Sequence, residues 1–219
     1  MSESRGIGIF GGMFDPVHHG HLRLALDVQQ ALDLSEVRLL PCGHPPHRAA
    51  PRANAQQRVA MLRAAIADEP LLSIDEREVW RDGPSYMVDT AQSLREELDG
   101  TPVCLIIGMD AFLALHTWHE WTRLPELLNL VVVQRPGWQA EGVPAPIGEL
   151  LAQRQVADAA ALLAKPAGNI LLLQASRLEI SSTHIRQLVA AGKSPRYLLP
   201  DAVLEIIQKQ FLYRNETVR

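Results

Sequence analysis

Residues 6–21 read GIGIFGGMFDPVHHGH. The first six are short and apolar and predict a buried strand. GGMFDPVHHGH, residues 11–21, then turns on glycine and opens a helix over residues 19–34. There Leu22, Ala25, Leu26, Gln29 and Leu32 fall near helical spacing, and neither Gly nor Pro occurs after Gly20. Gly11 and Gly12 allow a sharp turn and the close approach of a ligand to the backbone. Amides at the start of the helix, together with its dipole, suit an anion, above all a phosphate. His18 and His21 lie three apart on the first turn, so both can face one side.

The same alternation continues along the chain. Residues 37–41 (VRLLP) predict a second strand, and the proline-rich stretch after it is irregular. Asn54 is placed to cap a helix reaching about residue 68. A third strand is expected at residues 71–74, and a helix at 86–98 with Ser85 as cap and Gly100 as stop. VCLIIG, residues 103–108, predicts a buried strand, with Asp110 starting the next helix. Further strands are expected at 130–134 and 170–174, a helix at 148–163, and two short helices at 182–191 and 201–211. The order β-α-β-α-β occurs twice. Uninterrupted Val/Ile/Leu runs suggest strands covered on both faces. The fold class is therefore α/β, a doubly wound parallel sheet, with one domain spanning 1–219 and residues 176–219 a helical extension of it. In such a sheet, ligands sit beyond the carboxyl ends of the strands where the winding reverses. If the first and fourth strands are neighbours, the loops at 11–21 and 108–118 meet there.

Composition narrows the function classes. The chain has 219 residues, 47% hydrophobic and 21% charged, an ordinary globular balance that excludes wholesale disorder. A net charge of -4 gives no general electrostatic reason to bind nucleic acid. Two cysteines, Cys42 and Cys104, supply neither a cysteine-based zinc site nor a disulfide framework. No apolar run approaches the roughly 18 residues a membrane helix needs, and no signal-peptide pattern opens the chain. A cytoplasmic protein with no membrane partner is expected; the oligomeric state is not readable.

The glycine turn lacks both the GxGxxG of a dinucleotide site and the GK[ST] of a P-loop. His18 and His21 also fit part of a zinc site, but no third ligand lies at a familiar spacing. Far downstream, Ser181 or Ser182 can cap a helix while offering hydroxyl and amide to phosphate oxygens. Arg186, a turn later, carries a planar charge suited to phosphate. The bland alternative is a capped helix with a surface arginine. Gly108 would let a base or sugar pack on backbone. Asp110 suits a ribose hydroxyl, a metal-bound water, or a helix cap.

GGMFDPVHHGH resembles the nucleotidylyltransferase signature GxFDPxHxGH, and ISSTHIR (residues 180–186) resembles that superfamily's second signature, ISSTxIR. PPHR (45–48), PSYMVDT (84–90) and GMDAFLALHTWHEW (108–121) resemble the bacterial nicotinate mononucleotide adenylyltransferases, from about Gly6 to Pro200. The resemblance implies a Rossmann-like nucleotidylyltransferase fold. It also implies transfer of the adenylyl group of ATP to nicotinate mononucleotide, giving deamido-NAD and pyrophosphate. The ATP-binding set is then Gly11, Gly12, Met13, Phe14, His18, His21, Gly108, Asp110, Ser181, Ser182 and Arg186, with His18, His21 and Arg186 acting in catalysis. The mononucleotide set is His47, Ser85, Tyr86, Met87 and Trp118, with Trp118 stacking on the pyridine ring. Family members often carry Thr where this chain has Met87, so a backbone contact is expected there. No protein metal site is expected; Mg²⁺ would be bound mainly through ATP phosphates. Rival readings are a sister transferase using nicotinamide mononucleotide or phosphopantetheine, and a non-catalytic nucleotide-binding domain. A class I aminoacyl-tRNA synthetase shares an HxGH-like element, but no KMSKS-like lysine segment is present.

Overall fold

The computed structural model describes residues 5–45, 50–134, 142–175 and 178–215. The first half comprises β1 (Ile7–Gly12), α1 (His19–Leu32), β2 (Glu36–Pro41), α2 (Ala55–Ala65), β3 (Leu72–Ile74) and α3 (Met87–Glu97). The second comprises β4 (Val103–Gly108), α4 (Met109–Leu113), α5 (Leu124–Leu127), β5 (Asn129–Gln134), α6 (Ala145–Arg154), β6 (Gln155–Val156), α7 (Ala159–Leu163) and β7 (Ile170–Gln174). Helices α8 (Ser182–Ala190) and α9 (Asp201–Lys209) follow.

Seven strands form one sheet in the order β3-β2-β1-β4-β5-β7-β6, all pairs parallel. The apolar runs serve both faces, because successive side chains of a strand point to opposite sides. Cys104, Ile106, Val131 and Val133 enter one core with α1, α2, α8 and α9. Leu105, Ile107, Leu130 and Val132 enter the other with α3, α4, α5 and α6. β1 and β4 are neighbours, with Ile7 beside Val103 and Phe10 beside Ile106. Helices leave the two strands toward opposite faces, so the crevice opens between Gly12 and Gly108.

Several element ends differ from the expectation. α1 stops at Leu32 because Asp33 turns left-handed at φ 48° and donates its N–H to Gln29. The buried Gln29 amide then ties down the Leu34 carbonyl at 2.7 Å. Asn54 does cap α2, in a reciprocal capping box with Gln57. Ser85 does not cap α3: Tyr86 is the capping residue without a side-chain bond, and Ser85 Oγ instead accepts from the His44 amide at 3.0 Å. Asp110 does not start α4 either; Gly108 occupies the cap position and Asp110 lies inside the helix. The helix expected at 148–163 is two helices. Between them Gln155 and Val156 pair with Ile170 and Leu171 as an edge strand, and Asp158 restarts the helix by accepting from the Ala161 amide.

Candidate active site

A cleft of about 740 Å³ opens at the carboxyl ends of β1 and β4. Its walls come from the loop after β1, the first turn of α1, the start of α8, Gly108 and Val133. Of the expected ATP-side residues, Gly11, Gly12, Met13, Phe14, His18, His21, Gly108, Ser181, Ser182 and Arg186 all line it. Asp110 does not; it is exposed on α4, outside the walls of this cleft.

The turn at residues 11–21 owes its shape to a residue other than the glycines. The left-handed position is Phe14, at φ 48°, while Gly11 and Gly12 end β1. The glycine requirement at position 12 is one of space: a Cβ there would come 2.9 Å from the Phe14 ring. A Cβ on Gly108 would meet nothing within 4 Å, so that glycine leaves open crevice.

His18 occupies the cap position of α1, and its imidazole stacks on that of His21 with centroids 3.6 Å apart. Phe14 stands edge-on to His21 at 5.1 Å. His18 is buried, and burial, with a smaller contribution from His19, lowers its pKa to about 4. It is therefore neutral at pH 7, with a single N–H to donate. Its Nδ1 is buried without a hydrogen-bond partner among the described residues. Two amides at this helix start are already committed: His19 N–H donates to Leu198 C=O and His21 N–H to His18 C=O. The side chains, more than these amides, face the cleft as donors.

The two signature segments touch. Ser181 caps α8 by accepting from the His184 amide at 3.2 Å. Ser182 Oγ donates to Pro16 C=O at 2.9 Å, and Arg186 Nη1 donates to Asp15 C=O at 2.7 Å. Arg186 also donates to Thr183 Oγ1 at 3.2 Å. Asp15 carried no assigned role in the sequence reading, yet it organises this wall. Its carboxylate accepts from the Arg52 amide (2.8 Å), the Ala53 amide (3.1 Å) and the Tyr213 hydroxyl (2.7 Å). Behind the loop, the buried Arg58 donates to Met13 C=O at 2.9 Å. Asp15 lay within the quoted motif, but its partners are distant in the chain and left no local signal.

A second cleft of about 230 Å³ adjoins the first, sharing Gly11, Gly12 and Met13 with it. Ser85, Tyr86, Met87 and Trp118 line it, as expected of the mononucleotide side. His47 lies outside the described residues. Cys42, Glu78 and His119 also line it and carried no role in the sequence reading. His119 stacks on Tyr86 at 4.2 Å. Burial pushes the Cys42 thiol up to about 11, with Glu78 adding to the shift, so it is neutral at pH 7. Burial also raises Glu78, which accepts from Thr90 Oγ1 at 2.7 Å. Ser85 N–H is committed to His44 C=O, so amide donors for a ligand at this end of α3 begin at Tyr86.

A parallel sheet whose winding reverses above a histidine- and arginine-lined crevice is the architecture of a nucleotide-binding transferase. The model of the family described as cytidylyltransferase-like matches residues 9–188. A protein of Methylococcus capsulatus named "probable nicotinate-nucleotide adenylyltransferase" is 50% identical, over 94% of this chain and 99% of its own. One of the same name from Aeromonas salmonicida is 49% identical over 96% and 98%. The structure of Plasmodium falciparum nicotinic acid mononucleotide adenylyltransferase complexed with NaAD shares the fold, with a TM-score of 0.71 at 15% identity, over 95% of this chain and 97% of that one. The chain belongs to the cytidylyltransferase-like family, in its nicotinate-nucleotide adenylyltransferase branch.

Among the described residues no helix is long and apolar enough to cross a membrane. Nor do any three His, Cys, Asp or Glu among them gather to hold a metal. Asp15, the carboxylate on the ATP-side wall, already accepts from two backbone amides and a tyrosine hydroxyl.

Proposed function

We propose that the chain transfers the adenylyl group of ATP to nicotinate mononucleotide, giving deamido-NAD and pyrophosphate in NAD biosynthesis. The observation that carries this reading is the junction of two unlike clefts. One is lined by His18, His21, Ser181, Ser182 and Arg186; the other is narrow and aromatic, with Tyr86, Trp118 and His119. They meet over Gly11, Gly12 and Met13, two of which carry no side chain. ATP fits the first with its phosphates toward α8, and the mononucleotide fits the second with its ring beside Trp118. The two reacting phosphates then converge over the glycines.

A phosphate oxygen of the mononucleotide attacks the α-phosphorus of ATP in line. The new P–O bond forms as the bond from the α-phosphorus to the bridging oxygen breaks, and that electron pair leaves on pyrophosphate. The attacking phosphate is already ionised, so no general base is needed, and no activated Ser or Cys nucleophile is present among the described residues of the clefts. Catalysis rests on positioning and on donors aimed at growing charge. His18 and His21 donate to the phosphates, and Ser181, Ser182 and Arg186 hold the leaving end. Asp110, exposed on α4 beyond the cleft wall, is proposed for ribose or a metal-bound water, and His47 for the acceptor phosphate. Mg²⁺, when bound with ATP, offsets charge on the phosphate oxygens. Residues 1–219 act as one domain, a reading supported by Tyr213 closing onto Asp15.

The test is pyrophosphate release from ATP with a panel of acceptors. Nicotinate mononucleotide should give the highest turnover. Failure to release pyrophosphate with it, while another acceptor reacts, would assign the chain to a sister activity.

A further inference from the structure

The narrow cleft has an unexpected charge. Among the described residues that line it there is no Lys or Arg, and the one carboxyl is that of Glu78, 3% exposed. That side chain is held from several directions. Its Oε1 accepts from Thr90 Oγ1 at 2.7 Å, and Thr90, fully buried on α3, accepts in turn from Arg81 Nη1 at 3.1 Å. Cys42, from the loop after β2, interacts with the same carboxyl. The backbone is fixed as well, since a Cβ on Gly43 would come within 2.0 Å of the Glu78 carbonyl oxygen. Ser85 and His44 lock the neighbouring wall by exchanging two hydrogen bonds, of 3.0 and 2.9 Å. The other charged or titratable groups around Glu78 are few. Asp75 and Arg81 act on it from its own segment, and Arg58 on α2 acts on Cys42. Arg77 is engaged by Asp75 and Glu97. Across the cleft stand Tyr86 and His119, stacked on each other.

Nicotinate brings a ring carboxylate into a cleft whose lining holds a carboxyl and neither guanidinium nor ammonium. In so small a space the two acids are within Coulombic reach, and both cannot stay ionised without cost. We infer that Glu78 is a specificity residue that reads the acceptor ring through its own proton: nicotinate mononucleotide is bound with Glu78 protonated, and so with uptake of a proton from solvent, whereas nicotinamide mononucleotide is bound without that uptake. The inference rests on the proposed acceptor and adds to it a residue that discriminates between the two rings. A protonated Glu78 has a hydrogen to give, which suits a carboxylate; an ionised one only accepts, which suits the NH₂ of an amide. The free protein is already biased the right way. Burial raises the Glu78 pKa and Asp75 adds to it, against Thr90, Arg81 and Cys42. A second anion in the cleft raises it further. The preference for nicotinate over nicotinamide therefore narrows as pH rises.

The test is calorimetry of each mononucleotide binding to the full chain, from about pH 6 to pH 8, in buffers of low and high ionisation heat. The phosphate is common to both ligands, so the difference between them isolates the ring. Nicotinate mononucleotide should take up more protons than nicotinamide mononucleotide, and the ratio of their affinities should fall with pH by up to about tenfold per unit. Glu78→Gln, which keeps the shape and carries no charge, should abolish the extra uptake and flatten the ratio. Thr90→Val removes a donor to the ionised form, so it should keep the extra uptake and move it to higher pH. Equal uptake for the two ligands in the wild type overturns the inference, and this comparison needs no variant. A wild-type slope in Glu78→Gln also overturns it and assigns the proton to His119. The acceptor reading is separately exposed: pyrophosphate release with nicotinate mononucleotide, but no Glu78-dependent proton, removes this inference alone. Absence of both binding and turnover with that ligand removes the two together.

Discussion

The rings of His18 and His21 lie face to face, 3.6 Å between centroids and 21° from parallel. Two imidazolium ions could not share that geometry without strong repulsion, and the neutral state of His18 relieves it. The stack also fixes both rings before substrate arrives, which lowers the reorganisation needed at the transition state. His18→Ala and His21→Ala should each lower kcat by about 10² or more, with a smaller change in the KM for ATP. Near-normal turnover in both variants, measured by pyrophosphate release, would refute the assignment.

His18 also makes stability depend on pH. Its folded-state pKa, about 4, lies below the ordinary 6.5, so the unfolded chain takes up the proton first. The stabilisation is fully present above pH 6.5 and is lost as pH falls through about 4. Urea unfolding between pH 7 and pH 4 should show this decline in the free protein, and His18→Asn should show a shallower one. Parallel curves for the two proteins would place the acid sensitivity elsewhere.

Arg186 has a structural duty as well as a proposed catalytic one. Its guanidinium bridges Asp15 C=O and Thr183 Oγ1, two acceptors that a single ammonium does not span in the same way. Arg186→Lys should keep most of the stability but impair pyrophosphorolysis. Arg186→Ala should impair it further and destabilise the fold by about 1–3 kcal/mol, the range for losing hydrogen bonds at a partly buried charge. If Arg186→Ala matches wild type in both reaction directions and in unfolding, the residue is a surface cation only.

Acceptor choice follows from what the narrow cleft offers. A nicotinate carboxylate only accepts hydrogen bonds, and the backbone at the start of α3 beyond Ser85 presents donors. The amide of nicotinamide would set its NH₂ against them. A preference for nicotinate mononucleotide of at least about 10² in kcat/KM is expected. Trp118→Ala should weaken both acceptors and leave ATP affinity mostly intact. Comparable kcat/KM for the two mononucleotides removes the acceptor assignment and leaves adenylyl transfer untouched.

The sheet and its crevice were readable because their signals are local. Apolar runs of strand length, a glycine turn and a capped helix each declare themselves within a few residues, and the two signatures stand at two loops of one crevice. What escaped the sequence depends on partners far along the chain. Ser85 has the chemistry of a helix cap, but its hydroxyl is engaged by the His44 amide, 41 positions away. Residues 148–163 have helical composition, and only the free edge of β7 draws Gln155 and Val156 out of the helix. Asp158, with its cap bond to Ala161, was a local signal that the alanine-rich stretch obscured. The duty of Asp15 appears only once Arg52, Ala53 and Tyr213 are assembled around it.

The hydrogen bond from Tyr213 to Asp15 spans 198 positions of chain. During synthesis, Asp15 emerges long before its hydroxyl donor exists. Until then the loop that is to receive ATP holds a buried-to-be carboxylate with one of its three donors missing. A growing chain therefore acquires its strands and its histidines early, and the last polar stitch in the nucleotide site only when residue 213 has been made. Truncated or stalled products ending before that point would carry the signature residues without the finished site, so ATP binding would report completion of the chain as well as its fold.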